Sequence, residues 1–369
     1  MKKVLLLFLL LSVCTACNRG TSYPEPSQDY MVLDQIEYVN EFPVNLNLPD
    51  EGLDTGLDII GIQNFQVIDS LLLICQSSSQ GFWKFYSLND HKLLGKMLSI
   101  GQGPNEFRYP VSSGNYYTME EENGNLFAMI LDQYKGGVYR LNITESLESG
   151  QVDIDFLPGD FSSSVFYACA IDNDTYLCRE LSEDGTHQNR YVLKNGTKTI
   201  PDVLEKLNRA TVDAENDGFT FNMISALIKR KKELFVEVPL YLNYINLFSL
   251  DGKTAKTLCV EKSLTRISSV TSKSEPFRTS TYTALKAFND FFGAAFYNHT
   301  WMERDLGIKK SSQIQLFDWC GKPLAAINVN KIVTSFDIDF ARGELYLFSS
   351  SDDEFVKYDI SDLLKKLKL

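Results

Sequence analysis

Residues able to do chemistry are few in this sequence, and their spacing is uninformative. The three histidines, His91, His187 and His299, sit in HKLLG, HQNRY and HTWME. None has a second histidine four residues on with a glutamate between, the spacing that puts two zinc ligands and a base on one helix turn. No G-x-S-x-G occurs, so no serine has the tight strand-to-helix turn of a nucleophile elbow. The acidic pairs Asp153/Asp155, Asp172/Asp174, Asp337/Asp339 and Asp352/Asp353 could offer oxygens to calcium, and DNDTYLCRELSE begins with suitable alternation. That stretch carries Leu177 where an EF-type loop needs glycine, so hairpin turns account better for most of these acids. No metal ligand set is assigned and no cofactor is expected, calcium being the one ion with any candidate oxygens.

The stretch SIGQGPNEFRYP, residues 99–110, is the next candidate. A phosphate cradle requires glycines between a strand and a helix N-terminus, and NEFRYPVSSG does not read as a helix start. The alternative is a sharp corner between strands, with Gly101 and Gly103 taking backbone angles closed to other residues and Pro104 fixing the exit.

The chain must position these residues after export. Lys2 and Lys3 precede an apolar run, Val4 to Val13, too short to span a bilayer comfortably, and Cys14-Thr15-Ala16-Cys17 ends it in small residues. This resembles the lipobox of bacterial lipoproteins, with Cys17 as the lipidated residue, preferred over Cys14 because Val13 is bulky; a redox Cys-x-x-Cys lacks the surrounding βαβ pattern. Residues 1–17 are thus expected to be a lipoprotein signal peptide, 18–29 a polar tether and 30–369 a single domain. Asn18-Arg19-Gly20 lacks an acidic cluster, which favours the periplasmic side of the outer membrane over the surface. The formal charge is −12 and becomes more negative when Lys2 and Lys3 leave, so nucleic acid is an unsuitable partner. Lys229-Arg230-Lys231-Lys232 is the one basic run and reads as a solvated turn before LFVEV.

Six pairs of strand-like segments follow: LLLIC with FYSLND, LFAMI with VYRLN, TYLCR with YVLKNG, LFVEV with LFSLDG, FGAAFY with QLFDWCG, and LYLFS with VKYDIS. They recur at intervals of roughly 40 to 70 residues, the size of a propeller blade. With this pattern, SIGQGPNEF resembles the G-x-G-P-x-E-F signature of six-bladed β-propeller lipoproteins, a TolB-like or NHL-like family of Gram-negative bacteria. The resemblance implies an all-β, six-bladed β-propeller of four-stranded antiparallel blades in the cell envelope, and makes the motif a link from one blade's outermost strand to the next blade's innermost. Because the last unit has no room for a fourth strand, residues 30–48 are expected to complete the sixth blade and close the ring.

Connections within the first-to-second and third-to-fourth strand hairpins are short, so the long segments 180–190, 201–218, 262–290 and 298–312 fall on the other face with the opening loop. Function belongs on that face. It would present Gln102, Asn105, Glu106 and Arg108 from the corner, Asp132 and Tyr134, Arg179 and Glu180, Tyr241 and Tyr244, and His299, Trp301, Glu303 and Arg304 around a channel mouth. Aromatic and charged groups so mixed suit a glycan, a peptide or an envelope protein, although capping of a wide channel would explain the insertions equally, and Trp301 reads first as a packed loop anchor. A ligand- or protein-binding module held to the membrane by a lipid anchor is the leading expectation; the alternative is a lyase or hydrolase acting on sugars or lactones with His299, Glu106 and Arg179. Five cysteines remain after the leader. If residues 173 and 174 form a two-residue turn, Cys169 and Cys178 face each other at about 4.5 Å between Cα atoms, short but bridgeable, against the alternative of two buried apolar thiols.

Overall fold

The apolar strand cores are continuous because each sheet is buried on both faces. In Leu71–Gln76, Leu72 and Ile74 pack against Tyr346 and Phe348, while Leu73 and Cys75 point the other way, onto Ala128 and Tyr139. Alternate side chains of one strand therefore enter two different cores. The computed structural model describes residues 24–369 except 58, 113, 115, 173, 213–225 and 309.

The six expected strand pairs are the second and third strands of six sheets. Blade 1 is Ile62–Ile68, Leu71–Gln76, Gln80–Ser87 and Leu93–Ile100; blade 2 is Tyr117–Glu122, Asn125–Asp132, Gly137–Asn142 and Asp153–Pro158. Blade 3 is Val165–Asp172, Thr175–Leu181, Gln188–Lys194 and Thr197–Thr199; blade 4 is Ala226–Lys231, Leu234–Pro239, Tyr244–Ser249 and Ala255–Cys259. Blade 5 is Thr279–Ala287, Phe291–Thr300, Ser312–Asp318 and Pro323–Val329, and blade 6 is Ser335–Asp339, Glu344–Ser349 and Glu354–Asp359. One apolar cluster fills each gap between successive blades, including the gap between blades 6 and 1, so the ring is closed.

An N-terminal strand does complete blade 6, but it is Leu53–Asp54, antiparallel to Glu354–Asp359. The expectation for residues 30–48 is corrected. Gln35–Tyr38 adds a parallel fifth strand to blade 4, and Asn45–Asn47 does the same for blade 5. The segment thus runs along the rim of three blades in turn and covers edge strands that would otherwise present unpaired backbone. Its entry is fixed in the core: Met31 N–H donates to the Tyr244 hydroxyl at 3.1 Å, and Asn246 Nδ2 donates to the Met31 carbonyl at 2.9 Å.

Residues 99–107 are indeed a corner, for a different physical reason than expected. Glu106–Phe107 returns parallel to Ser99–Ile100, and neither Gly101 nor Gly103 has a positive φ. The glycines are required by close approach. Gly103 N–H donates to Glu106 Oε2 at 2.7 Å, and a Cβ at Gly101 would overlap the Glu106 carboxylate. Lys135 Nζ then staples the corner to blade 2 through the carbonyls of Gly103, Pro104 and Glu106 at 2.7 to 3.0 Å.

Two further expectations change. The Lys229–Lys232 run is not a solvated turn: Lys229 to Lys231 belong to the innermost strand of blade 4, and only Lys232, at φ 50, is turn. In blade 3, Asp172 pairs with Thr175 as expected, but a bulge between Ala170 and Asp172 sets Cys169 opposite Leu177 and Cys178 opposite Ala168. A one-residue slip sends a side chain to the other face. Cys169 lies in the core towards blade 4 and Cys178 in the core towards blade 2, both as free thiols, so the structure shows no bridge between them.

Candidate functional site: a polar cleft between blades 4 and 5

The expected segment 262–290 is a connection only as far as Arg278, because Thr279–Ala287 is the innermost strand of blade 5. Among the described residues the longer connections lie on one face, with one exception. The helix Ile143–Ser149, between the third and fourth strands of blade 2, lies on the opposite face, started by the Asn142 side chain and ended at Gly150 with φ 71. On the loop-rich face, the link from blade 4 to blade 5 is pinned by apolar anchors. Leu264, Ile267 and Val270 are buried in the core between blades 3 and 4, which fixes the short helix Ile267–Thr271 over the sheets.

Beneath this link is a cleft of about 400 Å³. Its floor is the loop of blade 4, where Tyr241 packs in the core and Asn243 organises the wall. Asn243 Oδ1 accepts from Thr265 N–H at 2.7 Å, and its Nδ2 donates to the Ser263 carbonyl at 2.9 Å and to the Glu261 carboxylate. Asn298, at φ 52, donates to Glu261 Oε1 at 3.2 Å from blade 5. The one acid in the lining is thereby occupied by amides.

Three cations line the same cleft. Arg266 is held by Asp29 at 2.5 Å, Lys273 is exposed, and Arg278 is 2 % exposed with Nε donating to the Lys273 carbonyl at 2.9 Å. Burial pushes the Arg278 guanidinium below its ordinary pKa. Cations beside amide and hydroxyl donors, with Tyr241 as an apolar wall, can hold an anionic group and orient the polar body attached to it.

The residues singled out from the sequence are dispersed. Gln102, Asn105 and Arg108 are exposed at the corner, whereas Glu106 is engaged within it. Arg108 lies 4.7 Å from the centroid of Tyr134, and Tyr134 and Tyr109 are both exposed. Asp132 closes its own turn by accepting from Tyr134 and Lys135 N–H groups at 3.0 Å. Glu180 accepts from the Tyr191 hydroxyl at 3.0 Å and from Lys198. Tyr244 is fully buried, leaving Tyr241 as the one such residue in the cleft.

Arg179 belongs to a buried ionic cluster that sequence reading missed. Glu237, in the apolar run LFVEV, receives Arg190 Nη2 at 2.5 Å and Arg179 Nη1 at 3.5 Å, all three side chains being almost fully buried. Burial holds the Arg179 pKa down, to about 10. His299 is 2 % exposed, its Nδ1 2.5 Å from the Tyr297 hydroxyl and its Nε2 3.6 Å from Glu303, and burial lowers its pKa. Glu303 closes a capping box with Thr300, and its bond to Lys310 pulls its pKa to about 2. Trp301 is 46 % exposed rather than packed, with Arg304 4.7 Å above its ring.

His299, Glu106 and Arg179 stand on blades 5, 1 and 3, and none lines the cleft or the central channel. Among the described residues, no group of three or more His, Cys, Asp or Glu side chains could hold a metal ion. Of the acidic pairs, Asp337 ties blade 6 to its neighbours, accepting from Val67 N–H at 2.9 Å and pairing with Lys286 at 2.7 Å, while Asp339 holds Arg342 three residues on at 2.5 Å. Among the described residues, no helix is long and apolar enough to cross a membrane.

No protein-family model matches the sequence, and no curated protein does. Solved structures do match. A Bacteroides fragilis protein described as exported is 10% identical, with a TM-score of 0.44, covering 91% of this chain and 94% of its own. The extracellular domain of a Bacteroides thetaiotaomicron one-component system is 11% identical, with a TM-score of 0.40, covering 82% of this chain and 34% of its own. The β-propeller domain of Cps50 (Swd1) from a Myceliophthora species is 11% identical, with a TM-score of 0.41, covering 81% and 83%. The likeness is one of fold only. Six sheets in sequence order, six cores between them and a last blade finished by the N-terminal segment make this chain a six-bladed β-propeller.

Proposed function

We propose that this chain is a binding module of the cell envelope that takes a polar, negatively charged ligand, such as an acidic glycan or an acidic peptide, in the cleft between blades 4 and 5. The observation that carries this reading is the lining itself: Lys273 and Arg278 converge with Asn243 and Asn298 beside Arg266, which Asp29 already pairs, and Glu261 is the one carboxylate among the lining residues. On a chain of net charge −12, such a concentration of cations in one concavity selects against most surfaces and for an anion.

The leader residues 1–17, with Cys17 as the lipidated residue, and the first half of the tether, 18–23, lie outside the described residues. In this reading they hold the domain to the outer membrane on its periplasmic side, as in the lipoprotein family that the G-x-G-P-x-E-F motif resembles. The end of the tether supports a link between anchor and cleft. Asp29 accepts from Arg266 Nε at 2.5 Å and from Ser268 N–H at 2.7 Å, so the chain leaves the body beside the cleft, on the loop-rich face.

The test is a thermal-shift and calorimetric comparison of acidic and neutral oligosaccharides and peptides on the whole chain. At about 100 times Kd, a ligand confined to the native state stabilises by about 2.7 kcal/mol. Acidic probes are expected to bind and neutral ones not, and the exposed Lys273→Gln is expected to weaken binding at least fivefold. Equal binding of neutral and acidic probes, or indifference to Lys273→Gln, refutes the reading.

A further inference from the structure

The central channel contains a second polar cavity, of about 240 Å³, on the axis where the innermost strands meet. Two lysines line it. Lys286, from blade 5, is paired with Asp337 at 2.7 Å, and that carboxylate also accepts the Val67 N–H. Lys229, from blade 4, donates to the Gly114 carbonyl at 2.9 Å, and among the described residues its ammonium meets no carboxylate. Gly114 makes this approach feasible, since a Cβ there would lie 2.7 Å from Nζ. The rest of the lining is neutral, including Gln63, Gln66 and Thr283. Among the described residues, two ammonium groups and one carboxylate leave the cavity with an uncompensated positive charge.

We propose that this channel cavity is a binding site for a small oxyanion, a carboxylate or a phosphate, which completes the coordination of the Lys229 ammonium. A part-buried cation without a counter-charge beside it loses hydration, and an anion of this class restores the balance with charge-assisted hydrogen bonds. The volume suits an ion with a few bound waters rather than an oligosaccharide, since one water occupies about 30 Å³ in the liquid. The site is distinct from the cleft between blades 4 and 5, with which it shares no lining residue.

Burial and the neighbouring Lys286 pull the Lys229 pKa down to about 8. The other titratable groups facing it are Cys169 and Asp337, with Tyr117 on the cavity wall. A bound anion favours the ammonium form, so binding at pH 8 to 9 takes up a proton, and affinity falls as pH rises through that range.

Isothermal titration of the whole chain with inorganic phosphate and, separately, succinate, in buffers of different ionisation enthalpy at pH 7 and pH 8.5, tests this. The expected result is binding of at least one anion, with buffer-dependent heat showing proton uptake at pH 8.5. Lys229→Met is expected to weaken it at least tenfold and Lys229→Arg to retain it. Preference for phosphate over succinate, or the reverse, assigns the oxyanion. Absence of binding by both anions at pH 7, binding without proton uptake at pH 8.5, or binding that survives Lys229→Met in the folded variant overturns the proposal. If Lys229→Met does not fold, the proton uptake of the unsubstituted protein still decides.

Discussion

The corner at residues 99–107 permits a test in which backbone strain and side-chain packing predict different outcomes. Glu106 folds back over two glycines and accepts the Gly103 N–H at 2.7 Å, a charge-assisted bond of the kind worth about 1.5 to 3 kcal/mol. Gly101→Ala puts a methyl group where the carboxylate sits and must expel it. Glu106→Ala removes the same carboxylate directly. Each substitution should therefore cost about 2 kcal/mol, and the double variant should cost little more than either, giving a coupling of about 2 kcal/mol in a double-mutant cycle. Chemical denaturation of the four proteins, with midpoints compared at constant slope, is the assay. If Gly101→Ala is destabilising and Glu106→Ala silent, or if the two costs simply add, the glycine is needed for its own backbone angles and the packing explanation is wrong.

Lys229 gives a pH-dependent prediction for stability. Its native pKa, about 8, lies below the ordinary 10.5, so the native state bears a penalty of about 3 kcal/mol below pH 8 that is relieved as pH rises from 8 to 10.5. Lys229→Met removes the penalty but loses the bond to Gly114, worth about 1 kcal/mol, so it should stabilise by about 2 kcal/mol at pH 7 and lose that advantage by pH 10.5. A difference in unfolding free energy that stays constant across this range contradicts the assignment. For the thiols, Cys75, Cys169, Cys178 and Cys259 are buried and Cys320 is exposed, and burial pushes Cys75 and Cys178 up to about 12. Of these five, Cys320 alone should react with a thiol reagent in the native protein and all five after unfolding without reductant; a shortfall of two in the unfolded protein would restore a disulfide.

The sequence alone determined the repeating architecture and the place of the corner. Blades buried on both faces need long apolar strand cores, and these recur visibly; their short hairpins, set against long insertions, reveal which face is elaborated. What it left open depends on neighbours distant in the chain. The bulge after Ala170 turns Cys169 away from Cys178, and nothing in the local pattern marks it. The path of residues 30–48 was misjudged because an extended segment can pair with any open edge, and only the assembled ring shows that blades 4 and 5 offer theirs first. Lys229 sits in a run of four basic residues that reads as solvated, yet strand alternation on the innermost strand sends it into the channel. Arg278 and Lys273 become a site only when the link between blades 4 and 5 folds over Tyr241 and Asn243. Burial, pairing and convergence are properties of contacts between separate segments, so tertiary structure alone decided which of many charged residues face a ligand.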